Sequence, residues 1–171
     1  MLDQKLDRRS KINNPDHYGR SKLISETLLL NDKNYFKSFI IRLPGVVGKK
    51  SKRNWLTKIF KEIKKNKSLD IYNPHEYFNN CIHVSDLFHL LDSFLKPSTF
   101  KYNDYITIGS KENMKIIEVV KLMIKLTKST SKINIKKINK NSFTISNHYA
   151  IKNYKYSPSK TSEVINQFVK E

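Results

Sequence analysis

The sequence predicts an α/β fold, because helical and strand patterns alternate along its 171 residues. The first unit is a helix over residues 16–30, followed by an apolar run at 38–43 that is typical of a buried strand. Pro44 and Gly45 then end that strand. A helix, a strand and a turn in this order indicate a crossover unit of an α/β sheet, and the chain is long enough for a domain with its own core.

The remaining elements follow from the same patterns. Residues 1–15 are polar, end in Asn-Asn-Pro, and are predicted to form a loop. Ser85 is expected to cap the helix that runs to Leu95. Apolar spacing and alternation predict further helices over 55–65 and 114–126 and after 157–161, and strands over 69–72, 81–84, 105–108 and 132–138.

Lysine and arginine are in large excess. The 33 Lys and Arg residues against 15 Asp and Glu residues give a net charge of +18, which directs attention to nucleic acid or anionic membranes. The cations are nevertheless spread along the chain among many Asn and Ile residues, so compositional bias in the genome explains them about as well as function does. In the densest stretch, 58–67, apolar residues recur at helical spacing, which predicts an amphipathic helix with lysines facing solvent. Nucleic acid is therefore not the favoured partner.

Cys81 is the single cysteine, which excludes an internal disulfide and suits a reducing cytoplasm. The five histidines are scattered and no close Cys/His cluster occurs, so no metal site is predicted. No apolar run approaches the roughly 20 residues of a membrane span, and the first residues lack the apolar core of a signal peptide. We expect a cytoplasmic protein without a membrane partner.

Tyr18 and Lys22 lie four residues apart in the first predicted helix. Side chains at this spacing share a helix face, so the Lys22 ammonium can approach the Tyr18 phenol. A tyrosine ordinarily titrates at about 10, and a nearby positive charge favours its ionised form. Proton transfer near neutral pH needs such a shift. The pair therefore predicts acid or base chemistry of the kind an oxidoreductase performs on a carbonyl; a packed tyrosine beside a solvated lysine is the alternative.

Three segments in order resemble the extended short-chain dehydrogenase/reductases, the NAD-dependent epimerase/dehydratase family that acts largely on nucleotide sugars. They are Tyr-Gly-Arg-Ser-Lys at 18–22 followed by Glu26, Arg-Leu-Pro-Gly-Val-Val-Gly at 42–48, and Ile-His-Val-Ser-Asp-Leu at 82–87. The resemblance covers nearly the whole chain and corresponds to the second half of the family.

This resemblance implies an α/β architecture of two parts. The chain would be the C-terminal part of a Rossmann-like doubly wound fold plus the small α/β substrate-binding region. Residues 1–48 would end the Rossmann-like domain, and residues 49–171 would form mainly the substrate-binding region and the closing helices.

The resemblance also implies roles for the residues near the turn. In the family the tyrosine donates or accepts the substrate proton and the lysine binds the nicotinamide ribose, so Tyr18 and Lys22 would be catalytic and would contact NAD or NADP. Pro44, Gly45 and Val46 would lie against the nicotinamide, where a glycine leaves room and a proline fixes the path. An ordinary turn that ends a strand is an equal alternative for these three residues.

On the substrate side the chain departs from the family twice. Gly45 stands where the family often has an asparagine that helps hold a nucleotide sugar. Asn79 stands where an arginine often binds the diphosphate, and a neutral amide cannot supply that charged fork. Asn80 and His83 remain candidates for binding the sugar substrate, although a histidine between two apolar residues is more often structural.

Two further residues are expected to be structural. Arg42 ends an apolar strand and needs a partner for its charge. Trp55 is expected to pack in the core.

The family's cofactor-binding half is not recognisable in the sequence. The four glycines, at positions 19, 45, 48 and 109, form no GxxGxxG turn for a pyrophosphate, and the family's catalytic Ser or Thr would precede residue 1. We therefore expect a fragment of a sugar epimerase, dehydratase or reductase: a truncated product, half of a split gene or a misplaced start. Such a chain would be inactive without a separate N-terminal half.

Two alternatives stay open. The chain could be a basic module that binds nucleic acid or another polyanion without catalysis, in which case binding would fall steeply with salt. It could also be a regulatory remnant that pairs with a homologous subunit through an exposed sheet edge.

Overall fold

The computed structural model describes residues 4–32, 35, 37–94, 101–136 and 142–171. These residues form short strands alternating with helices, which confirms the predicted α/β fold. The strands are β1 (Gln4–Leu6), β2 (Phe39–Arg42), β3 (Gly45–Val47), β4 (Leu69–Tyr72), β5 (Tyr77–Phe78), β6 (Cys81–His83), β7 (Asp104–Thr107), β8 (Met114–Lys115), β9 (Ile133–Lys136) and β10 (Phe143–Ile145). The helices are α1 (His17–Asn31), α2 (Trp55–Lys64), α3 (Val84–Phe94), α4 (Ile116–Thr127), α5 (His148–Tyr154) and α6 (Thr161–Lys170).

Parallel pairing between strands distant in sequence organises the described residues. Strand β1 pairs with β10, β2 with β7, β3 with β6 and β4 with β9, all in parallel. Strands β5 and β8 form an antiparallel pair. Parallel partners need crossover connections, and the helices between them supply these crossovers. Strands β2 and β3 thus pair with strands beyond residue 49, and the division of the chain at residues 48 and 49 stays a prediction.

Two buried cores lie on opposite sides of β6. One core packs α2, α4 and α6 against β3, β4 and β6, and it includes Ile63, Met123 and Cys81. The other contains Ile82 and Tyr154 and packs α3 and α5 against β6 and β7. Because neighbouring side chains of a strand point to opposite faces, Cys81 enters the first core and Ile82 the second. Strand β6 is thereby fixed from both sides.

Most helices and the central strands match the sequence-based expectations. Helices α1, α2, α3, α4 and α6 and strands β2, β4, β6, β7 and β9 lie within about two residues of their predicted positions. The predicted C-terminal ends of α3, at Leu95, and of β9, at residues 137–138, lie outside the described residues.

Several expectations need correction. The loop predicted for residues 1–15 contains β1, whose partner begins at Phe143; nothing local signals a three-residue strand that pairs so far away. Residues 114–115 form β8 instead of starting a helix, and α5 was not predicted. Ser85 is not a cap but lies inside α3, where its backbone N–H donates to His83 Nδ1 at 3.2 Å. Trp55 is 37% exposed instead of buried, and its ring packs against that of Phe78.

No helix formed by the described residues is both long and apolar enough to cross a membrane.

Candidate active site

Helix α1 carries the Tyr18/Lys22 pair. Asp16 caps its first turn, with the Asp16 carboxylate accepting from the Gly19 backbone N–H at 2.7 Å. The Lys22 Nζ lies 5.3 Å from the centre of the Tyr18 ring, so the two side chains do share a helix face. Tyr18 is 71% exposed. The predicted proximity is present, and the tyrosine is open to a ligand.

A groove separates α1 from β2, and we refer to it as the α1 groove. Tyr18, Lys22, Ser25 and Leu29 line it at the i, i+4, i+7 and i+11 spacing of one helix stripe. The opposite wall is residues 40–43 of β2 and its end, and the enclosed volume is about 510 Å³. Ser25 and Leu29 were not predicted to take part in the site, although their spacing from Tyr18 is visible in the sequence.

Arg42 lines the α1 groove and forms an ion pair with Glu26. Its Nε and Nη2 donate to the two carboxylate oxygens of Glu26 at 3.0 and 2.6 Å, and its Nη1 donates to the Arg8 carbonyl at 3.1 Å. The bond to Glu26 raises the pKa of Arg42, against the opposing effect of partial burial. A bidentate fork of this kind fixes orientation as well as charge. The prediction that Arg42 is a structural cation with a partner is confirmed.

A second ionic cluster ties the turn after β1 to the rest of the chain. The Arg8 guanidinium lies 2.8 Å from Asp104 and stacks over the rings of Tyr105 and Tyr149 at 4.4 and 4.0 Å. Asp104 also accepts hydrogen bonds from the hydroxyls of Tyr149 and Tyr154. Burial opposes ionisation of Asp104, but these hydrogen bonds and the Arg8 charge outweigh it and hold the pKa of this carboxyl below its ordinary value.

A second groove adjoins the first, and we refer to it as the turn groove. Its volume is also about 510 Å³, and it shares Arg42 and Leu43 with the α1 groove. Pro44, Gly45 and Asn80, three of the predicted site residues, line it. Its other lining residues are Leu6, Asp7, Ser10, Lys11, Ile12, Thr107, Phe143 and Ile145.

Sequence reasoning missed the wall of the turn groove that residues 6–12 form. The signal was a polar run of Asp, Arg, Arg and Ser between Leu6 and Ile12, which indicates a turn. The pairing of β1 with β10, two strands far apart in the sequence, brings that turn to the groove.

Gly45 is not required by close packing. A Cβ at this position would lie 3.4 Å from both the Asn80 carbonyl and the Asn54 Cβ, an ordinary contact. Gly45 N–H donates to the same Asn80 carbonyl at 3.3 Å. A small side chain could therefore replace this glycine without a clash.

Val46, His83 and Asn79 face the interior of the protein instead. Val46 packs against the second core, and His83 is only 2% exposed. The Asn79 amide donates to the Ser110 and Ile145 carbonyls at 3.2 and 2.8 Å, and its oxygen accepts from the Ile145 N–H at 2.8 Å. These positions favour packing roles for Val46 and His83. The side-chain amide of Asn79 is engaged by backbone groups through both its nitrogen and its oxygen.

Both ring nitrogens of His83 lie close to polar groups. Its Nδ1 lies 2.8 Å from the Ser85 hydroxyl. Its Nε2 lies 3.1 Å from a carboxylate oxygen of Glu171, without a hydrogen bond between the two groups. The imidazole thus joins β6 to the end of α6.

The side of α1 away from β2 is uncovered. None of its residues with described side chains is buried, and Ile24 and Leu28 are 60% and 65% exposed. These two side chains therefore form an apolar surface of α1 that the described residues leave open to solvent.

Neither the family models nor the curated proteins include a match to this sequence. Solved structures do match in fold. A UDP-glucuronic acid 4-epimerase from Bacillus cereus in complex with NAD matches with a TM-score of 0.80 at 19% identity, over 99% of this chain and 56% of that one. A dTDP-glucose 4,6-dehydratase from Bacillus anthracis in complex with NAD matches with a TM-score of 0.75 at 15% identity, over 97% of this chain and 55% of that one.

A third neighbour is RMD from Pseudomonas aeruginosa complexed with NADPH, with a TM-score of 0.76 at 15% identity over 95% of this chain and 57% of that one. The chain thus spans a little over half the length of the solved structures it matches. The predicted resemblance and the predicted fold class are confirmed at the level of fold. The chain has the fold of the C-terminal portion of the extended short-chain dehydrogenase/reductases, the group that includes these sugar epimerases and dehydratases.

Proposed function

We propose that the chain is the substrate-side part of an NAD(P)-dependent epimerase, dehydratase or reductase acting on a nucleotide sugar. The observation that carries the proposal is the Tyr18/Lys22 pair, which lies together at an open groove beside the end of β2. The neighbours in fold are sugar epimerases and dehydratases, two of them with NAD bound. The turn groove, with its polar Asn80 and unobstructed Gly45, is the proposed place for the sugar.

The described residues suit one end of a nicotinamide cofactor. Lys22 offers three N–H donors and a charge for ribose hydroxyls, and Pro44 and Gly45 present backbone without a bulky side chain. The cofactor, when bound, supplies or accepts the hydride. For the pyrophosphate the 171 residues offer no glycine-rich turn. We propose that this part of the site belongs to a second polypeptide part, on the same or on another chain, and that it covers the exposed side of α1.

In this scheme Tyr18 moves the proton of the sugar hydroxyl and Lys22 stabilises its phenolate. The Lys22 Nζ lies over the Tyr18 ring, where its positive charge is close to the phenol without blocking it. Glu26 and Arg42 hold β2 against α1 and so keep the two walls of the α1 groove at a fixed separation.

Calorimetry with NADH tests the proposal that the cofactor site is divided between this chain and a second polypeptide part. The chain alone is expected to bind NADH weakly, and a separately expressed glycine-rich half of one of the neighbouring epimerases is expected to restore binding when mixed with it. Tight binding of NADH by the chain alone would overturn the need for a second part. If the mixture binds NADH no more tightly than the glycine-rich half does alone, the proposed contribution of Lys22 and of the turn is wrong.

A further inference from the structure

A groove along α2 is lined mostly by positively charged side chains. We define the basic groove by its lining residues, Lys52, Arg53, Asn54, Trp55, Lys58, Lys61, Glu62, Lys65 and Lys67, and its volume is about 580 Å³. It runs along the solvent side of α2. None of these residues lines the α1 groove or the turn groove.

The charge of the basic groove exceeds what the composition predicts. Lysine and arginine make up 33 of the 171 residues but six of the nine residues that line this groove. All six cations are exposed, and none of them forms an ion pair or a side-chain hydrogen bond with another described residue. Glu62 is the single carboxylate among the lining residues. Unpaired like charges in a concave surface raise the local concentration of anions.

An amphipathic helix accounts for only part of this arrangement. Helix α2 buries Leu56, Ile59 and Ile63 and therefore turns Lys58, Lys61 and Lys65 outward. The groove adds Lys52 and Arg53 from the loop before the helix and Lys67 from the turn after it. The cations thus form a row that extends past both ends of α2, whose ten residues span about 15 Å.

Trp55 lies within this row, at the start of α2. It is 37% exposed, and its ring packs against Phe78 in a tilted arrangement, with 5.4 Å between ring centres and 56° between ring planes. Phe78 thereby supports the indole while part of its surface stays open to the groove. A cationic track that follows a backbone, together with an aromatic ring on which a base can stack, is the arrangement that binds single-stranded nucleic acid.

We propose that the basic groove binds single-stranded nucleic acid, with phosphates along the lysines of α2 and one base stacked on Trp55. This binding is independent of the proposed enzymatic function, because the groove shares no residue with the two grooves of the candidate active site. An anionic polymer without bases would use the lysines but not the ring, so Trp55 distinguishes the two classes of partner.

Tryptophan fluorescence gives a direct test, because Trp55 is the only tryptophan of the chain. Titration with an oligothymidylate of about 20 nucleotides is expected to quench the emission. The logarithm of the binding constant should fall linearly with the logarithm of salt, by about 0.7 for each phosphate neutralised. Absence of quenching at low salt would overturn the proposal. Equal affinity for heparin or for duplex DNA would overturn the assignment to a single strand.

Matched charge variants separate the groove from the overall charge. The triple variant Lys58→Gln, Lys61→Gln, Lys65→Gln is expected to bind the oligomer at least about tenfold more weakly and to lower the salt slope by about 2. The control Lys121→Gln, Lys125→Gln, Lys152→Gln removes the same charge from exposed positions elsewhere and is expected to change binding less than about twofold. Equal losses in the two triple variants would show that the total charge alone governs binding, which contradicts the proposal. Circular dichroism of both variants checks that they are folded.

Discussion

Gly109 and Gly45 both contact the segment of Asn79 and Asn80, but a methyl group would meet different surroundings at the two positions. A Cβ on Gly109 would lie 2.8 Å from the Asn79 carbonyl oxygen and 3.2 Å from the Ile145 Cβ, whereas on Gly45 the shortest contacts would be 3.4 Å. The clash at Gly109 is with backbone, which cannot move without displacing the bonds that Asn79 makes. A glycine is thus required at 109 by packing, whereas a Cβ at 45 would make only ordinary contacts.

The variant Gly109→Ala is expected to lower the free energy of unfolding by about 1–3 kcal/mol, the cost of overpacking. Gly45→Ala is the matched control and is expected to stay within about 0.5–1 kcal/mol of the native chain. Urea unfolding followed by circular dichroism measures both. A Gly109→Ala variant as stable as Gly45→Ala would show that the Asn79 segment is freer than described.

Cys81 lies at the boundary of the first core and is fully buried. Burial raises the pKa of its thiol to about 12, although the contact with Ser110 acts in the opposite direction. The thiolate is the reactive form, so the native thiol is expected to be inert towards a thiol reagent at about pH 8. Because the folded chain keeps a proton that the unfolded chain releases, this group stabilises the fold fully below the unfolded pKa and less as pH rises above it.

A time course with a chromogenic disulfide reagent checks the inertness of Cys81. Native protein is expected to react slowly, and protein in denaturant at once, with one thiol per chain in both cases. Rapid labelling of the native protein would contradict the burial of β6 between the two cores.

At the scale of the elements, β6 and the residues before it fix the position of the turn groove. Asn79 joins this segment to β10 and to the loop after β7 through three hydrogen bonds. An arginine at this position, as the family resemblance led us to expect for a diphosphate site, would have no room for its fork in these buried bonds. Recognition of a diphosphate by this chain therefore needs other residues.

The variant Asn79→Ala is expected to lower the free energy of unfolding by about 1–3 kcal/mol, because it removes the Asn79 hydrogen bonds to the Ile145 N–H and the Ile145 carbonyl, whereas the Ser110 carbonyl keeps the Asn147 amide as a donor. Asn80→Ala removes a neighbouring amide that lines the turn groove and is expected to cost much less. Chemical unfolding of the pair gives the comparison. Equal stability of the two variants would contradict the role of Asn79 as the link between β6 and β10.

The cluster of Arg8 and Asp104 links β1, β7 and α5, and it makes a prediction about acid. The pKa of Asp104 is lowered in the folded chain, so its contribution to stability is complete above the unfolded value of about 3.9 and disappears as pH falls through the folded value. The unfolding midpoint of the native chain is expected to fall below about pH 4 more steeply than that of Asp104→Asn. Asp7→Asn, at an exposed position, is the control. Parallel pH profiles for native chain and Asp104→Asn would contradict this assignment.

Elements with a local pattern were predictable, whereas most strands of two or three residues were not. The apolar spacing and the flanking turns of α1, α2 and α4 are all contained in a window of the sequence. Strands β1, β5, β8 and β10 have two or three residues each, too few for a pattern, and their pairing is decided by the tertiary fold. Arg42 was expected to have a partner because it ends an apolar strand, but only the structure identifies Glu26.

At the scale of the whole molecule, the two grooves of the candidate site meet at Arg42 and Leu43, at the end of β2. The sequence indicated the pair on α1 and the turn after β2, because both are contiguous motifs. It did not indicate the wall made by residues 6–12, which depends on the pairing of the first and last described strands. Val46 and His83, expected beside ligands, lie in packed positions: Val46 packs against the second core, and His83 belongs to β6, which is buried on both faces.

The basic groove separates what the sequence and the fold each show about charge. Residues 58–67 are the densest cationic stretch of the sequence, and their helix pattern accounts for the lysines as a solvated face. All nine lining residues of the groove lie within residues 52–67, so the sequence already places these cations close together. The fold shows in addition that they line one concave surface together with Trp55.

The role of Tyr18 is tested most directly by turnover in a reconstituted enzyme. The chain is mixed with a glycine-rich half from a neighbouring epimerase, and conversion of UDP-glucuronic acid and of dTDP-glucose is followed for the native chain, Tyr18→Phe and the exposed control Tyr35→Phe. Loss of a proton-transfer group costs about 10²–10⁴-fold in rate, so Tyr18→Phe is expected to lose activity by that factor with NADH binding retained, while Tyr35→Phe keeps it. Equal activity of Tyr18→Phe and the native chain would contradict the assignment of proton transfer to Tyr18.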